Sequence, residues 1–298
     1  MTTQETDDQD SAVTTGAADR ACADWLALRR DADTEARDAG AGGLLQRLVE
    51  HLCGEGAPAV RVVDVGAGTG ANHAYLSPRL PFEQSWVVVD HDAELLDHAG
   101  HGAAVRVQAG VCDLVDVLDG LVTGQDGSAL LLTCTALLDV LTTEELGCLA
   151  DAIERSGAPA LLSLSVTGEV AWSPPDPADE TVRTLFDEHQ RRGGKAGPEA
   201  ASVLHRELCS RGLTVVAAPT PWLLDARRPG LLGRWLDERV EAAADRPVHD
   251  GRSRTLADWH HRRRRQLGSA GLVVHVDHVD LLVLPRRDVL ADGVQRGT

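Results

Sequence analysis

Short apolar runs alternate with polar, helix-forming stretches along most of the chain. The apolar runs have strand length and are rich in Val and Leu, whereas the stretches between them favour helices. Predicted strands cover 60–65, 85–90, 104–108, 129–134, 159–166, 213–218 and 272–284. The first of these runs has the pattern of a strand that is buried on both faces.

Three glycines follow this first strand directly. Gly66, Gly68 and Gly70 precede the stretch 71–76, which can open a helix. Glycines adopt left-handed backbone angles and allow the backbone to approach a ligand closely. The first turn of the helix points free N–H groups back into the glycine turn. The pattern predicts a binding site for a cofactor edge that is rich in hydroxyl or carboxylate oxygens.

The glycine turn has more than one interpretation. Gly66, Gly68 and Ala71 satisfy the dinucleotide fingerprint, and a glycine-rich turn without a ligand is the simplest alternative. Asp64, however, stands two residues before the first glycine and gives the pattern D-x-G-x-G-x-G. This stretch resembles the first motif of the class I S-adenosylmethionine-dependent methyltransferases, in which the acid and the turn hold the amino-acid end of the cofactor.

The resemblance implies a fold and a cofactor. The expected fold is α/β: a Rossmann-like, doubly wound, seven-stranded sheet with an antiparallel last strand, and with helical N-terminal and lid insertions. The expected cofactor is S-adenosyl-L-methionine. The motifs are recognisable from 60 to 164, and strand order alone extends the resemblance to Leu284.

Acids that follow the next two strands extend the resemblance. Asp90 ends the second strand about twenty residues past the glycine turn, where an acid accepts hydrogen bonds from both ribose hydroxyls. An N-cap for the helix predicted at 93–99 is the alternative role of Asp90. After the third strand the family often carries Gly-Asp before a second acid and a leucine. Here Gly110 stands where the first acid would fall, and only Asp113-Leu114 matches.

The resemblance therefore implies a set of residues that contact the cofactor. They are Asp64, Gly66, Ala67, Gly68, Gly70, Asp90, His91, Cys112, Asp113, Leu114 and Thr135.

Two residues are candidates for catalysis. Asp139 follows the fourth strand, in the loop that lies beside the methyl group in the family. An acid there can face the sulfonium, steer an amine substrate or accept a substrate proton, and its alternative role is to hold a backbone amide. His189, in the first insertion, is the second candidate base.

A capping box at 142–145 predicts the start of the next helix.

The chain divides into a core and additions. Residues 1–16 form a polar, acidic tail that we expect to be disordered, 17–57 a helical cap, 58–285 the methyltransferase domain and 286–298 a second tail. In the cap, Trp25, Arg29 or Arg37 can reach a substrate; the alternative is a solvated helix with ion pairs such as Asp33–Arg37. Insertions at 167–197 and 219–270 leave the carboxyl ends of strands and are expected to form a lid over the cofactor.

The charge and the cysteine pattern bear on partners and location. The formal net charge is −17, which argues against binding nucleic acid or an anionic membrane surface by bulk electrostatics. The basic run 260–265 falls in a predicted helix, where its charges spread round the axis; arginine forks that bind a substrate carboxylate or phosphate are the alternative. No run of eighteen apolar residues occurs. Six scattered cysteines without C-x-x-C spacing predict free thiols and a cytoplasmic location.

Two His-containing clusters resemble metal ligands by residue type. They are His98 with His101, and the strand segment that carries His275, Asp277, His278 and Asp280. On a strand, His275 and Asp277 share one face while His278 and Asp280 share the other, so no face collects three ligands. We therefore expect no metal site.

The predicted function is transfer of a methyl group to a small-molecule acceptor, with O- or N-methylation favoured over C-methylation. Alternatives are an NAD(P)-dependent oxidoreductase, a methyltransferase for a macromolecule and a non-catalytic S-adenosylmethionine-binding protein. The sequence does not indicate an oligomeric state.

Overall fold

A computed structural model describes residues 23–56, 58–98, 104–122, 127–244 and 252–285. The predictions for the two tails and for His101 lie outside the described residues. The helices are α1 Ala23–Gly40, α2 Gly42–Gly54, α3 Ala71–Leu76, α4 Ala93–His98, α5 Leu114–Val122, α6 Thr143–Ser156, α7 Asp179–Gln190, α8 Ala200–Ser210, α9 Pro229–Ala244 and α10 Arg252–Gly268.

One sheet contains all the strands of the described residues. They are β1 Ala59–Val65, β2 Glu83–Asp90, β3 Val105–Gln108, β4 Ala129–Thr135, β5 Ala160–Ser173, β6 Thr214–Pro219, β7 Trp222–Leu224 and β8 Val273–Leu284. Their order is β3-β2-β1-β4-β5-β8-β6, with β7 paired to β8. The pairs among β1 to β5 are parallel, whereas β8 runs antiparallel between β5 and β6. The α/β prediction with an antiparallel last strand is therefore confirmed, and the short β7 is an addition.

The strand order reverses between β1 and β4. In an open α/β sheet, ligands bind outside the carboxyl ends of the strands at this point. Successive residues of β1 face opposite layers: Val62 packs with the α2 and α3 side, and Val63 packs with the α5, α6 and α8 side. The central strands are thus buried on both faces, and polar side chains at their carboxyl ends face one shared region.

The first insertion begins later than its sequence predicts. Residues 167–173 continue β5 rather than leaving the sheet, since they pair with β8 as far as Ser173↔Val273. Register shifts between Leu162 and Ser165, and between Val166 and Val170, bend this strand. The long partner β8 supplies hydrogen-bonding partners for the backbone of this extension, so the prediction that the strand ends at Val166 was wrong. Helices α7, α9 and α10, which we call the lid, pack on this extension.

The arginines of the basic run in α10 connect this helix to its neighbours through ion pairs. Arg262 pairs with Asp176 at 2.6 Å, and Arg264 pairs with Asp237 at 3.1 Å. Arg263 is fully buried and donates to the Pro174 carbonyl at 2.7 Å as well as pairing with an acid of α7. These three arginines therefore stabilise the contact of α10 with its neighbours and are not arranged as an open anion site.

The free-thiol prediction was wrong for two cysteines. Cys112 and Cys148 form a disulfide because the short 3₁₀ turn after β3 packs against α6. Cys53, Cys134 and Cys209 are free.

The described helices include none that is both long and apolar enough to cross a membrane. In β8, His275 and Asp277 are exposed while His278 and Asp280 are buried, so the predicted division between the two faces is confirmed. Among the described residues, no group of three or more potential ligands is placed to hold a metal ion.

Candidate functional site

The glycine turn folds over the end of β2. The N–H groups of Gly66 and Ala67 donate to the Val89 carbonyl at 2.8 and 3.1 Å. Gly66, Gly68 and Gly70 have φ angles of +64°, +53° and +83°, which a side chain would disfavour. The turn therefore needs glycine for its shape, and it places the first residues of α3 beside the carboxyl ends of β1 and β2.

Asp90 closes this turn from the neighbouring strand. Its carboxylate accepts hydrogen bonds from the N–H groups of Gly68 and Asp92, both at 2.9 Å, and His91 Nδ1 lies 3.2 Å away. The N-cap of α4 is Asp92, which accepts from Glu94 N at 3.0 Å. Asp90 is thus not the helix cap that was its alternative role, and its buried carboxylate lies at the rim of the turn.

Asp64 lies beneath the same turn and is 1% exposed. Its Oδ1 accepts a 2.7 Å hydrogen bond from Asn72 Nδ2, whereas the buried Oδ2 has no hydrogen-bond partner. Burial raises the pKa of Asp64 to about 7, and the charge of Asp90 adds to this effect while Arg37 opposes it. The two acids of the predicted site therefore lie close enough to influence each other.

Arg37 of helix α1 completes this buried cluster. Its Nη1 donates to Asn72 Oδ1 at 3.0 Å, and its guanidinium stacks 3.7 Å from the ring centroid of Tyr75. Its buried Nε has no hydrogen bond and lies 3.9 Å from Asp280 Oδ2. Burial lowers the pKa of Arg37, and Asp280 is the largest opposing influence. A cation and an acid, Arg37 and Asp64, thus each present an unsatisfied buried atom in one cluster.

One of the two interpretations of the cap helix paired Arg37 with Asp33. In the structure Asp33 pairs instead with Arg29, at 2.9 Å. Asn72, which bridges the cluster and also donates to Thr133 Oγ1 at 3.0 Å, was missed. Its position as the second residue of α3 was the signal available, because a helix that starts in the glycine turn places its first residues over the end of β1.

A hydrogen bond and a disulfide fix the segment after β3. Asp113 accepts from the N–H of Gly110 at 3.0 Å, and Cys112 is held by the disulfide. Leu114 is fully buried in the core that α5 shares with α6. His91 is largely exposed, at 73% of its side chain. Cofactor contacts by these four residues stay a prediction.

A second group of charges lies at the loop after β4. Asp139 is partly exposed in the short 3₁₀ turn Leu138–Val140. Burial raises its pKa, and the positive charges of Arg29 and Lys195 oppose this effect. An isolated backbone β-bridge with Thr142 holds Lys195 near this loop. One cation from the cap, Arg29, and one from the segment after α7, Lys195, thus stabilise the charged form of Asp139.

Thr135 and His189 lie on different elements. Thr135 ends β4, and its Oγ1 is buried without a hydrogen-bond partner. His189 lies near the end of α7 and is partly buried. The roles of both residues stay predictions.

Two leucines cover the outer face of the glycine turn. A Cβ added at Gly66 would lie 2.8 Å from Leu137 Cδ1, and one added at Gly68 would lie 3.4 Å from Leu26 Cδ1. Leu26 belongs to α1, and Leu137 to the loop after β4. The cap and this loop therefore meet above the turn.

Comparison with known proteins gives the following matches. No protein-family model and no curated protein matches the sequence. Phosphoethanolamine N-methyltransferase 2 of Haemonchus contortus is similar at 11% identity and a TM-score of 0.37, over 81% of this chain and 53% of that chain. Geranyl diphosphate methyltransferase is similar at 12% and 0.39, over 81% and 84%. A Geobacter sulfurreducens S-adenosylmethionine-dependent methyltransferase is similar at 15% and 0.38, over 86% and 98%. The chain thus matches about half the length of the Haemonchus protein.

Proposed function

We propose that this chain is an S-adenosylmethionine-dependent methyltransferase that acts on a small-molecule acceptor. One observation carries the proposal: Asp64 Oδ2 is buried without a hydrogen-bond partner at the end of the strand that leads into the left-handed glycine turn. Buried charged atoms are expensive unless a partner satisfies them. The methionine end of the cofactor carries an ammonium group, which would satisfy this carboxylate oxygen.

The remaining cofactor contacts follow the sheet outward. Asp90 ends β2 with a buried carboxylate that already binds the turn, and its free lone pairs suit ribose hydroxyls. Asp113 and His91 would contact the adenine. This order, from Asp64 through Asp90 to the segment after β3, follows β1, β2 and β3 across the sheet.

The bound cofactor supplies a methyl group that the sulfonium already activates. The chain therefore has mainly to align the acceptor and to exclude water. Leu26 and Leu137 supply apolar cover at the turn. Asp139 would orient the acceptor or take its proton, with Arg29 and Lys195 adjusting its charge.

An NAD(P)-dependent oxidoreductase is the principal alternative. It would place a pyrophosphate over the same glycine turn. The buried carboxylate of Asp64 would then face two phosphate charges across the turn, which disfavours this reading. A non-catalytic S-adenosylmethionine-binding protein would share the cofactor site and differ only in turnover.

Three further predictions concern the class of acceptor, the atom that is methylated and the location of the protein. A small-molecule acceptor rather than nucleic acid is supported by the charge of −17 and by the ion pairs that engage Arg262, Arg263 and Arg264. O- or N-methylation and a cytoplasmic location stay predictions, and the disulfide removes part of the basis for the latter.

Calorimetry on the full chain tests the cofactor. We expect S-adenosylhomocysteine to bind in the micromolar range and NAD⁺ and NADP⁺ not to bind. Binding of a dinucleotide without S-adenosylhomocysteine would overturn the proposal. Transfer of a labelled methyl group to a metabolite extract then separates an enzyme from a non-catalytic binder.

A further inference from the structure

A disulfide joins the turn after β3 to helix α6. Cys112 is the middle residue of the 3₁₀ turn Val111–Asp113, and Cys148 lies in the second turn of α6. Cys112 is exposed and Cys148 is half-buried, so a reductant reaches the bond from solvent. Exposed disulfides are the ones that exchange readily with thiols, whereas structural disulfides resist reduction.

Helix α6 does not need this bond to keep its place. Its side chains Leu146, Leu149 and Ile153 are buried in the core that α6 shares with α5 and α8. A chain of 298 residues buries enough surface to fold without a covalent link of this kind. Cys53 and Cys209 are exposed free thiols, so the chain also tolerates unpaired cysteines at its surface. The function of the disulfide therefore lies in what it does to the turn.

The turn has few other means of holding its position against α6. Val111 packs against the core, whereas Cys112 and Asp113 are exposed. The hydrogen bonds of the turn are local: Asp113 N donates to the Gly110 carbonyl at 3.1 Å, and Gly110 N donates to Asp113 Oδ2 at 3.0 Å. Segments with little buried apolar surface open easily. Breaking the disulfide would thus free this turn from α6 more than it would disturb the helix.

The same turn borders the candidate cofactor site. Ala109 N donates to the Asp90 carbonyl at 3.0 Å, and Gln108 Nε2 donates to the His91 carbonyl at 3.2 Å. The turn therefore follows directly on residues that are bonded to the end of β2, and it carries Asp113, the acid for which an adenine contact is proposed. The disulfide fixes this acid relative to α6, which is the helix that follows the loop of Asp139.

We propose that the Cys112–Cys148 disulfide is a redox switch of the cofactor site. The oxidised chain holds the turn in place and binds the cofactor tightly, and the reduced chain binds it more weakly. A ligand that contacts a mobile segment has to order it, and this cost lowers the affinity. The identity of the ligand rests on the proposed function, whereas control of the turn rests on the disulfide and its surroundings.

A dithiol, either a small molecule or a protein with two vicinal thiols, supplies the two electrons of the reduction. Its thiolate attacks the exposed Sγ of Cys112, the S–S bond breaks, and Cys148 leaves as a thiolate that takes up a proton. The second thiol of the reductant loses its proton and attacks the mixed disulfide, so that Cys112 also leaves as a thiolate and is protonated. One disulfide in the chain is thereby exchanged for one disulfide in the reductant, and oxidation by a disulfide reverses both steps.

Calorimetry on the full chain tests the switch with S-adenosylhomocysteine as the probe. We expect the chain reduced with dithiothreitol to bind about fivefold or more weakly than the oxidised chain, and reoxidation to restore the affinity. Cys148→Ser should bind as weakly as the reduced chain, with or without reductant. Cys209→Ser, which removes an exposed free thiol of α8, is the matched control and should respond to dithiothreitol like the unaltered chain. Equal affinities of the oxidised and reduced chains would overturn the inference.

Thermodynamic linkage gives a second test on the unaltered chain. If the oxidised form binds the probe more tightly, saturating S-adenosylhomocysteine makes the disulfide harder to reduce by the same factor. The chain is equilibrated with mixtures of reduced and oxidised dithiothreitol, and alkylation followed by mass spectrometry gives the fraction of reduced Cys112 and Cys148. A fraction that does not depend on the probe would refute the coupling.

Two further measurements separate the possible failures. Hydrogen exchange of residues 109–116 should be faster in the reduced chain, and unchanged exchange would overturn control of the turn by the disulfide. Faster exchange in a chain that binds no S-adenosylhomocysteine in either form would refute the proposed function and support control of the turn. Loss of the far-ultraviolet circular dichroism of the chain on reduction would also overturn the switch, because the bond would then hold the whole fold.

Discussion

Asn72 Nδ2 donates a 2.7 Å hydrogen bond to Asp64 Oδ1, and both side chains are buried at the end of β1. The same amide accepts from Arg37 through its oxygen, at 3.0 Å. One amide therefore joins the acid of the central strand to the cation of the cap helix. Because this cluster satisfies Asp64 on one oxygen only, its stability and its binding of a ligand should respond to pH.

The charge of Asp64 should reduce the stability of the ligand-free chain. Its pKa is about 7 in the folded chain, above the ordinary value of 3.8, so the folded state holds this proton more tightly than the unfolded state. The unfolding free energy therefore falls as pH rises from about 4 to about 7, by about 4 kcal/mol at most. Asp64→Asn should be more stable than the unaltered chain at about pH 8 and similar near pH 4. Urea unfolding at both pH values measures this difference.

The same variant should lose affinity for the cofactor. An amide cannot attract the ammonium group as a carboxylate does, so Asp64→Asn should bind S-adenosylhomocysteine at least about tenfold more weakly near pH 7.5. Calorimetry gives the affinity. A more stable variant with undiminished affinity would mean that Asp64 lies outside the binding site.

Gly68→Val should abolish cofactor binding. The residue has φ +53°, and a side chain there would point at Leu26 and into the path of the ligand. Gly157→Val is the matched control, since Gly157 has φ +62° at the end of α6 and open space around it. Both variants bear the left-handed strain of about 1–2 kcal/mol. Calorimetry in which both lose binding equally would attribute the effect to strain alone.

The elements near the glycine turn were predictable because their patterns are local. Helix α3 has the predicted bounds Ala71–Leu76, and the capping box of Thr142 with Glu145 is present at 2.8 and 3.2 Å. The residues that determine a glycine turn, a helix cap or a short apolar strand lie within a few positions of one another in the sequence. The acids Asp64 and Asp90 could be placed together because parallel neighbours bring their carboxyl ends to one edge.

The features that were missed depend on contacts between distant segments. The length of β5 follows from its partner β8, and the partner of Arg37 is set by how α1 lies over the sheet. The disulfide likewise joins residues that are separated by 36 positions. The pattern of residues within one segment does not indicate which distant segment it pairs with. The sequence therefore predicted too early an end for β5 and free thiols for two cysteines that form a disulfide.

The disulfide should contribute measurably to stability. It closes a loop of 36 residues between the segment after β3 and α6, and such a constraint contributes about 4 kcal/mol. Cys148→Ser should lower the unfolding free energy by about that amount, as measured in urea without reductant. Cys209→Ser, at an exposed free thiol, should leave it unchanged. Mass spectrometry that finds Cys112 alkylated without reduction would contradict the assignment.

Asp139→Asn should separate catalysis from cofactor binding. The residue lies in the loop after β4 and is not part of the hydrogen-bonded cluster of Asp64, Asn72 and Arg37, so S-adenosylhomocysteine should bind with an affinity within about twofold of the original. The rate of methyl transfer to a metabolite extract should fall by about 10²-fold or more if the carboxylate takes a proton. A rate that is unchanged across pH would show that Asp139 only holds the backbone of its loop.

Arg263→Met should destabilise the lid. This guanidinium is fully buried and bonds the Pro174 carbonyl, Gln266 Oε1 and Asp179. Its removal leaves Asp179 with the Trp259 indole N–H and the Asp176 backbone N–H, both at 2.8 Å, as its remaining donors. Breaking a buried ion pair costs about 3 kcal/mol, whereas Arg265→Met on the exposed face should cost less than about 0.5. Urea unfolding compares the two. Equal effects would mean that the basic run of α10 acts through its overall charge rather than through the lid contacts.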